Sequence, residues 1–362
     1  MLKTALLNLG KYFPFLLKTV KYEPTSIVIS LTNRCNCRCI MCNYWKFPPG
    51  NELTTEEVKG ILKQAKDIGI IGCVLYGGEP LLRNDIFDIV SFAHTMGINT
   101  KIITNGMLLD KDKIKLLLES GIDGISISID ATSILLDEIR GTKDAYLKVV
   151  SALNELTQLR QSRNFKLSIG ALLMFPTLKD NDILKVVELG ERLKVPVNIQ
   201  LLDFSFFYFK GVEEKTKNQL WIKDNYQQQL NILVDELIEV KKQKPWLIEN
   251  SVAALKYIKK YFKDPKSQDI PCYTAFSGRI WISPEGKVFL CQGLAFAGDL
   301  RKEPLKSIIF SQKWRQGVYN MFKKQCPGCS CMYSSNIDAH LPLAWRDIVL
   351  RKISGKKDTY AI

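Results

Sequence analysis

Short β-branched and apolar runs alternate with longer segments of helical periodicity between Ser26 and Phe204. These runs predict six strands, each followed by a helix, with the sequences SIVISLT, GCVLYGG, NTKIITNG, GISISID, KLSIGALLM and VNIQLLDF. Alternation of this kind favours a parallel sheet with helical crossovers. Two architectures fit, a doubly wound sheet and a full or partial β/α barrel. Both bind ligands at the carboxyl ends of their strands.

Local signals mark where the helices begin and end. Thr54 and Glu57 form a capping box that starts one helix, and Gly69 ends it. The next helix ends at Gly97, and its predicted buried face consists of Ile86, Ile89, Val90 and Ala93. Further helices are predicted near 111–120, 145–160 and 181–194, and within the charged segment 213–263.

The chain has 362 residues and a net charge of +14. That length accommodates one large domain and a smaller one. No apolar stretch is long enough to span a membrane, and the lysine-containing N-terminus lacks the pattern of a signal peptide, so we expect a cytoplasmic location. The positive charge suits an anionic substrate, a membrane surface or a solvated lysine-rich surface. No segment resembles a nucleic-acid-binding module, so no nucleic-acid partner is expected.

Cysteine is abundant and histidine is scarce, with ten cysteines and two histidines. Disulfides are disfavoured in a reducing compartment, so metal or cluster binding is the better interpretation. Two histidines are too few for most histidine-based zinc or acid–base sites. Cys73 lies inside an apolar strand and is predicted to be a core residue.

Four cysteines fall in the stretch CNCRCIMC, directly after the first predicted strand. Cys35, Cys39 and Cys42 have the spacing C-x3-C-x2-C. Three thiolates in one loop can bind three irons of a [4Fe–4S] cluster and leave the fourth iron open. A closed zinc site is the alternative, with Cys37 as the fourth ligand, although its close spacing makes one tetrahedron awkward.

Further chemistry-bearing residues follow the next three strands. Gly77, Gly78 and Glu79 of the GGEP segment combine close backbone approach with a carboxylate suited to an ammonium group. The TNG segment (104–106) follows the third strand, and Ser128 ends the fourth, with Arg140 twelve residues later. Turn chemistry and helix capping are the alternative roles for these residues.

In this combination the sequence resembles the radical S-adenosylmethionine (SAM) enzymes, from about residue 26 to 331. The resemblance implies a partial (β/α)6 TIM barrel with a [4Fe–4S] cluster bound by Cys35, Cys39 and Cys42. It also implies that SAM chelates the open iron, and that one electron cleaves SAM to a 5′-deoxyadenosyl radical. That radical abstracts a hydrogen atom from substrate. An electron donor such as flavodoxin or ferredoxin is then expected.

The same resemblance suggests which residues contact SAM. Gly77, Gly78 and Glu79 correspond to the motif that holds the methionine amino group, and Ser128 and Arg140 to residues that contact ribose and carboxylate. Met41 stands where many members have an aromatic residue, and its carbonyl is expected to meet the adenine. Cys37 corresponds to no family ligand, and Asn105 is expected to shape its loop.

The C-terminal region predicts a β-hairpin and a second group of cysteines. In SGRIWISPEGKVFLC, Pro284 and Gly286 are placed for a tight turn. The spacing resembles the opening of the SPASM and Twitch extensions of the family. A shorter Twitch-like domain implies one auxiliary [4Fe–4S] cluster, with the ligands Cys272, Cys291, Cys326 and Cys329. Cys331 is an alternative to Cys329, and a four-cysteine zinc ribbon is the alternative site.

The predicted organisation has five parts. They are a basic amphipathic segment (1–25), the barrel (26–210), a helical segment (211–265), the Twitch/SPASM-like domain (266–335) and a tail (336–362). The first segment has one apolar face, which consists of Leu2, Leu6, Leu9, Phe13, Leu16 and Val20. This face is predicted either to contact an anionic membrane peripherally or to pack on the barrel. The aromatic run 203–210 is predicted to be core or barrel cover.

The predicted function is hydrogen-atom abstraction from an anionic small-molecule or lipid-linked substrate by a radical SAM enzyme. Two alternatives stay open at this point. One is a radical SAM enzyme that modifies a peptide or protein, and the other is a non-catalytic iron–sulfur or zinc scaffold. SAM cleavage to 5′-deoxyadenosine separates the scaffold from both enzymes.

Overall fold

The computed structural model describes residues 24–48, 50–202, 216–265, 279–291, 296–323 and 325. The body of the sheet is six strands, β1 (Ser26–Ser30), β2 (Gly72–Tyr76), β3 (Asn99–Thr104), β4 (Gly124–Ser128), β5 (Lys166–Leu173) and β6 (Val197–Leu201). All neighbouring pairs among them are parallel, and the strands stand in sequence order. A doubly wound sheet would reverse its order part-way. The fold is therefore a partial (β/α)6 TIM barrel, as predicted.

Helices connect these strands and continue after them. They are α1 (Thr55–Asp67), α2 (Ile86–Thr95), α3 (Lys111–Glu119), α4 (Ser133–Arg140), α5 (Ala145–Leu159), α6 (Phe175–Lys179), α7 (Asp182–Leu193), α8 (Gln227–Gln243), α9 (Val252–Tyr261), α10 (Leu305–Ile309) and α11 (Gln312–Phe322). Short 3-10 turns occur at Tyr44–Lys46, Pro80–Leu82 and Asp224–Tyr226.

The predicted helix signals are confirmed at α1 and α2. The Thr54 hydroxyl accepts from the Glu57 N–H at 3.2 Å, and the Glu57 carboxylate accepts from the Thr54 N–H at 2.8 Å. Gly69 ends α1 with a φ of +87°. All four predicted apolar positions of α2 are buried. Helix α4 was not predicted; it has only eight residues, and it begins at Ser133 with a φ of +56° without a side-chain cap bond from Thr132.

The two faces of the sheet differ in chemistry. On the outer face, Ile29, Leu75, Ile102 and Ile125 stand in register on β1 to β4, buried in one apolar cluster with residues of the surrounding helices. The alternate positions form the opposite side, here termed the inner face, because successive side chains of a strand point to opposite sides. Its polar members include Ser30, Tyr76, Lys101, Ser126, Ser128, Ser168, Asn198 and Gln200, and Val28, Val74 and Ile103 are apolar members of the same face.

The predicted hairpin forms and extends the barrel sheet. β7 (Arg279–Ile282) pairs in parallel with β1, and β8 (Lys287–Phe289) and β9 (Phe296–Asp299) follow antiparallel. Gly286 closes the hairpin turn with a φ of +84°, and its N–H donates to the Ser283 carbonyl at 3.0 Å. The free edge of β1 is thus covered by a segment about 250 residues further along the chain.

Several predicted segments lie outside the described residues. They are most of the amphipathic segment 1–25, the aromatic run 203–210 and the tail 336–362. Across the described part of the chain, no helix has both the length and the apolarity needed to cross a bilayer.

Candidate active site

The cysteine loop (residues 31–43) follows β1 at the carboxyl edge of the sheet. Cys35, Cys39 and Cys42 are each half-buried. The Cys42 N–H donates to the Cys39 carbonyl at 3.1 Å, so the last two cysteines share one tight turn. Three thiols are thereby presented on one loop at the edge where β/α barrels bind their ligands.

The loop backbone is seated on the end of α4. The Arg38 N–H donates to the Arg140 carbonyl at 2.8 Å, and the Ile40 N–H donates to the Ile139 carbonyl at 2.9 Å. The last carbonyls of a helix have no partner within the helix itself. The cysteine loop satisfies two of them here, so the end of α4 and the loop support each other.

Two side chains brace the loop from its exposed side. Arg38 Nη1 donates to the carbonyls of Cys35 and Cys37, at 2.8 and 3.0 Å. Its guanidinium lies over the Trp45 ring at 5.4 Å, and Trp45 Nε1 donates to the Cys39 carbonyl at 3.3 Å. We call this pair the Arg38–Trp45 clamp. Sequence reasoning missed it, because contacts from side chains to carbonyls leave no periodic pattern.

Cys37 lies among the other thiols and is fully buried. Its N–H donates to Cys35 Sγ at 3.4 Å. Hydrogen bonding from the Cys37 thiol, with the charge of Arg140 adding to it, lowers the pKa of Cys35 to about 6 and also lowers the pKa of Cys39. Burial raises the pKa of Cys42 to about 12. Cys37 therefore influences two neighbouring thiols, and its absence from the ligand set stays a prediction.

The two glycines after β2 allow that segment to lie directly against the root of the cysteine loop. The Gly78 N–H donates to the Thr32 carbonyl at 2.7 Å. A Cβ on Gly77 would lie 2.5 Å from the Thr32 oxygen, and one on Gly78 would lie 2.2 Å from the Arg34 oxygen. The close approach seen here is to the protein backbone of the loop, and the approach of these glycines to a ligand stays a prediction.

Glu79 ties the same segment to the end of β3. Its carboxylate is fully buried and accepts from the Thr104 hydroxyl at 2.8 Å, the Asn105 N–H at 2.8 Å and the Leu81 N–H at 3.1 Å. Burial raises the pKa of Glu79 to about 7. Contact between Glu79 and the amino group of SAM stays a prediction, whereas its tie to β3 is observed.

Asn105 links β3 to the cysteines. Its Nδ2 donates to the Asn36 side chain at 2.8 Å and lies 3.8 Å from Cys35 Sγ, while its Oδ1 accepts from the Met107 N–H at 2.9 Å. The expected role of Asn105 in shaping its loop fits these contacts. Its approach to the Cys35 thiol was not anticipated.

Arg140 lies beneath the loop as a buried cation, 1% exposed. Its guanidinium donates to the Asn105 carbonyl at 3.1 Å and the Ser128 carbonyl at 2.6 Å, and it pairs with Asp130 at 3.4 Å. Within the described residues its Nε has no hydrogen-bond partner. Ser128 and Arg140, which the sequence predicted to act together, are thus in contact, and Asp130 joins them.

The chain was then compared with known proteins. The family model of the Radical SAM superfamily matches residues 29–190. The chain is 26% identical over 335 residues to the AdoMet-dependent heme synthase of Methanosarcina barkeri, covering 84% of this chain and 91% of that relative. It is 24% identical to the PqqA peptide cyclase of Rhizobium meliloti, covering 83% and 76% of the two chains. Residues 29–190 of the chain therefore form a radical SAM domain.

The fold of a solved radical SAM structure agrees with this assignment. Streptococcus suis SuiB bound to S-adenosylmethionine superposes with a TM-score of 0.65 at 18% sequence identity, covering 86% of this chain and 71% of that chain. At this level of identity the likeness concerns the fold. The scaffold that presents the cysteine loop is therefore shared with a protein whose structure contains SAM.

As a radical SAM enzyme, the protein works with a [4Fe–4S] cluster and SAM. The donors of the cysteine loop fit such a cluster, because three thiols spaced along one loop can each bind a different iron. Among the described residues, no group of three or more Cys, His, Asp or Glu side chains is arranged to bind a single metal ion. Met41 is half-buried beside Cys42, and its predicted contact with adenine stays a prediction.

One of the C-terminal cysteines falls within the described residues. Cys291 follows β8 and is half-buried. The turn of the hairpin reaches the radical SAM cysteine loop, since Asn33 Nδ2 donates to Glu285 Oε1 at 3.1 Å. The remaining predicted ligands, Cys272, Cys326 and Cys329, and the alternative Cys331 lie outside the described residues.

Proposed function

We propose that the protein cleaves SAM reductively at a [4Fe–4S] cluster and abstracts a hydrogen atom from an anionic small-molecule or lipid-linked substrate. One observation carries the proposal: the cysteine loop, the GGEP segment and Arg140 meet at the carboxyl edge of a parallel barrel. When bound, the cluster supplies the electron that breaks a carbon–sulfur bond of the sulfonium. An external donor such as ferredoxin or flavodoxin supplies that electron to the cluster.

Each group of residues at this edge has its own role in the proposal. Cys35, Cys39 and Cys42 bind the cluster. Arg140 holds a positive charge beneath the loop, where it favours the thiolate forms that bind iron. Ser128 is half-buried on the inner face, its carbonyl accepts from Arg140 at 2.6 Å, and its hydroxyl is assigned to a hydroxyl or carboxylate of SAM.

The substrate class rests on charge and on the inner face. The chain carries a net charge of +14, which attracts anions. Below the cysteine loop the inner face presents hydroxyl, amide and ammonium groups where the outer face is apolar. A polar lining of this kind suits a substrate with hydrogen-bonding and anionic groups.

A peptide substrate is the second candidate. One relative is a PqqA peptide cyclase, and SuiB has been solved bound to its precursor peptide SuiA with a TM-score of 0.65 to this chain. Both candidates share the cleavage of SAM. They differ in whether a small molecule or a peptide loses the hydrogen atom.

We also propose one auxiliary [4Fe–4S] cluster, bound by Cys272, Cys291, Cys326 and Cys329. The described hairpin supports it by placing Cys291 directly after β8. Counting iron, zinc and sulfide in anaerobically purified protein tests this site. Zinc in place of the second set of irons would indicate a zinc ribbon.

The experiment for the main proposal is anaerobic reconstitution followed by reaction with SAM and dithionite. We expect 5′-deoxyadenosine from the wild type and none from Cys35→Ala. Cys73→Ala is the matched control, because Cys73 is a buried core residue on β2 away from the loop. A fully loaded wild-type protein that forms no 5′-deoxyadenosine would refute the proposal. Comparing metabolites, lipids and peptides with and without the gene then separates the two substrate classes.

A further inference from the structure

A lysine lies on the inner face near the amino ends of β4 and β5, where the mechanism above gives it no role. Lys101 stands on β3, half-buried, with Ile102 beside it in the apolar outer core. Its Nζ donates to Ser168 Oγ on β5 at 3.2 Å. Ser168 in turn donates to Ser126 Oγ on β4 at 3.2 Å. Three strands thus contribute to one chain of hydrogen bonds.

Within the described residues, no carboxylate contacts the Lys101 Nζ, and the negative charge of Glu249 acts on it only from further away, where it raises the pKa. Burial lowers the pKa of Lys101, and the nearby cations Arg279 and Lys166 lower it further. A desolvated ammonium without a paired acid is costly unless another group satisfies it.

The hydrogen bonds are oriented so that donors remain for a ligand. An ammonium has three donor hydrogens, and Ser168 accepts one of them. The Ser126 hydroxyl accepts from Ser168, which leaves its own hydrogen free to donate. Beside it, Gly170 has no side chain, and its open position faces Ser126 and the Gln200 amide.

We propose that Lys101, Ser126 and Ser168 bind an oxyanion group of the substrate, a carboxylate or a phosphate, inside the barrel. This deepens the proposed function by placing the anion-binding site within it. Lys101 lies four residues before Asn105, about 13 Å along β3. Because Asn105 approaches Cys35, the bound substrate spans the distance from this anchor to the edge where SAM is cleaved.

The test uses full-length, anaerobically reconstituted protein with SAM, titrated by calorimetry with pyrophosphate and with glutarate as probes. We expect one or both to bind the wild type, and Lys101→Met to weaken that binding by about tenfold or more, the usual size for a charged hydrogen bond. Lys101→Arg should restore much of the binding, and Ser168→Ala should weaken it less than Lys101→Met does. The probe that binds shows whether phosphate or carboxylate is preferred.

Lys148→Met is the matched control, since Lys148 is an exposed lysine of α5 outside the site. It should bind both probes as the wild type does. Binding of neither probe by the wild type, or equal binding by the Lys101→Met protein, would overturn the proposal. Formation of 5′-deoxyadenosine by the wild type is measured in the same preparation, so failure of SAM cleavage and failure of anion binding are recorded separately.

Discussion

Replacing Gly78 by alanine tests whether the GGEP segment supports the cysteine loop through its backbone. The new Cβ would lie 2.2 Å from the Arg34 oxygen and 2.7 Å from the Arg34 carbonyl carbon. Both atoms belong to the main chain, so the contact cannot be relieved by a change of rotamer. The segment after β2 and the root of the loop must move apart.

The size of the effect follows from the bonds at this contact. Separation weakens the hydrogen bonds from the Gly78 N–H to Thr32 at 2.7 Å and from the Glu79 N–H to Arg34 at 2.8 Å. Each contributes about 0.5–1.5 kcal/mol net. Backbone displacement by an overpacked group costs about 1–3 kcal/mol more. We expect the free energy of unfolding to fall by about 2–6 kcal/mol.

The assay is urea unfolding of the full-length protein, with iron per chain measured after anaerobic reconstitution. Gly78→Ala should unfold at lower urea and retain less iron, because the displaced root carries Cys35. Gly60→Ala is the control: Gly60 lies on α1 with no atom within 4 Å of an added Cβ. It should gain up to about 1 kcal/mol from helix propensity. Gly78→Ala protein with wild-type stability and iron content would refute this reasoning.

Three further predictions follow from the buried groups and the clamp. The pKa of Glu79 is raised from 4.5 to about 7, so the folded protein binds this proton more tightly than the unfolded chain does. The free energy of unfolding should therefore fall by about 3 kcal/mol as pH rises through that range. Urea unfolding at pH 5 and pH 8 should show this fall, and Glu79→Gln should lack it. Asp130→Asn leaves the buried Arg140 without its acid, and unfolding should show a loss of about 3–5 kcal/mol; a loss below about 1 kcal/mol would count against a stabilising ion pair. Arg38→Gln removes a positive charge beside the cysteines, so a spectroscopic redox titration should find the cluster potential lowered by about 10–40 mV, from a screened interaction of about 0.2–1 kcal/mol. Arg38→Lys should retain the wild-type potential, and an unchanged potential in Arg38→Gln would contradict this role.

Much of the barrel could be predicted because its signals are local. The six strand runs, the capping box at Thr54 and the apolar face of α2 each depend on residues a few positions apart. The partial barrel needed one additional fact, the order of the strands, which periodicity does not contain. Pairing of β7 with β1 was not predicted either, since no local pattern links Ser26 to Arg279.

The sequence predicted which residues form the candidate site more completely than it predicted what those residues contact. The cysteines, the GGEP segment, Ser128 and Arg140 do lie at one edge of the sheet. What sequence could not show is which atoms meet there: the glycines contact loop backbone, and the Glu79 carboxylate bonds to β3. Lys101 was overlooked because a single lysine in a strand is usually a solvated surface residue. Its environment is determined by residues of β4 and β5.

The pairing of β7 with β1 has a consequence for how the protein matures in the cell. The second neighbour of β1 is synthesised about 250 residues after β1 itself. At about 5–20 residues per second, the nascent chain carries an uncovered β1 edge for about 10–50 s. An unpaired edge is a template for wrong pairing. The Asn33–Glu285 contact at the cysteine loop also forms only when the hairpin arrives. Iron that arrives before the hairpin is made would meet a cysteine loop that lacks the contact from Asn33 to Glu285. We therefore expect cluster loading to follow completion of the hairpin.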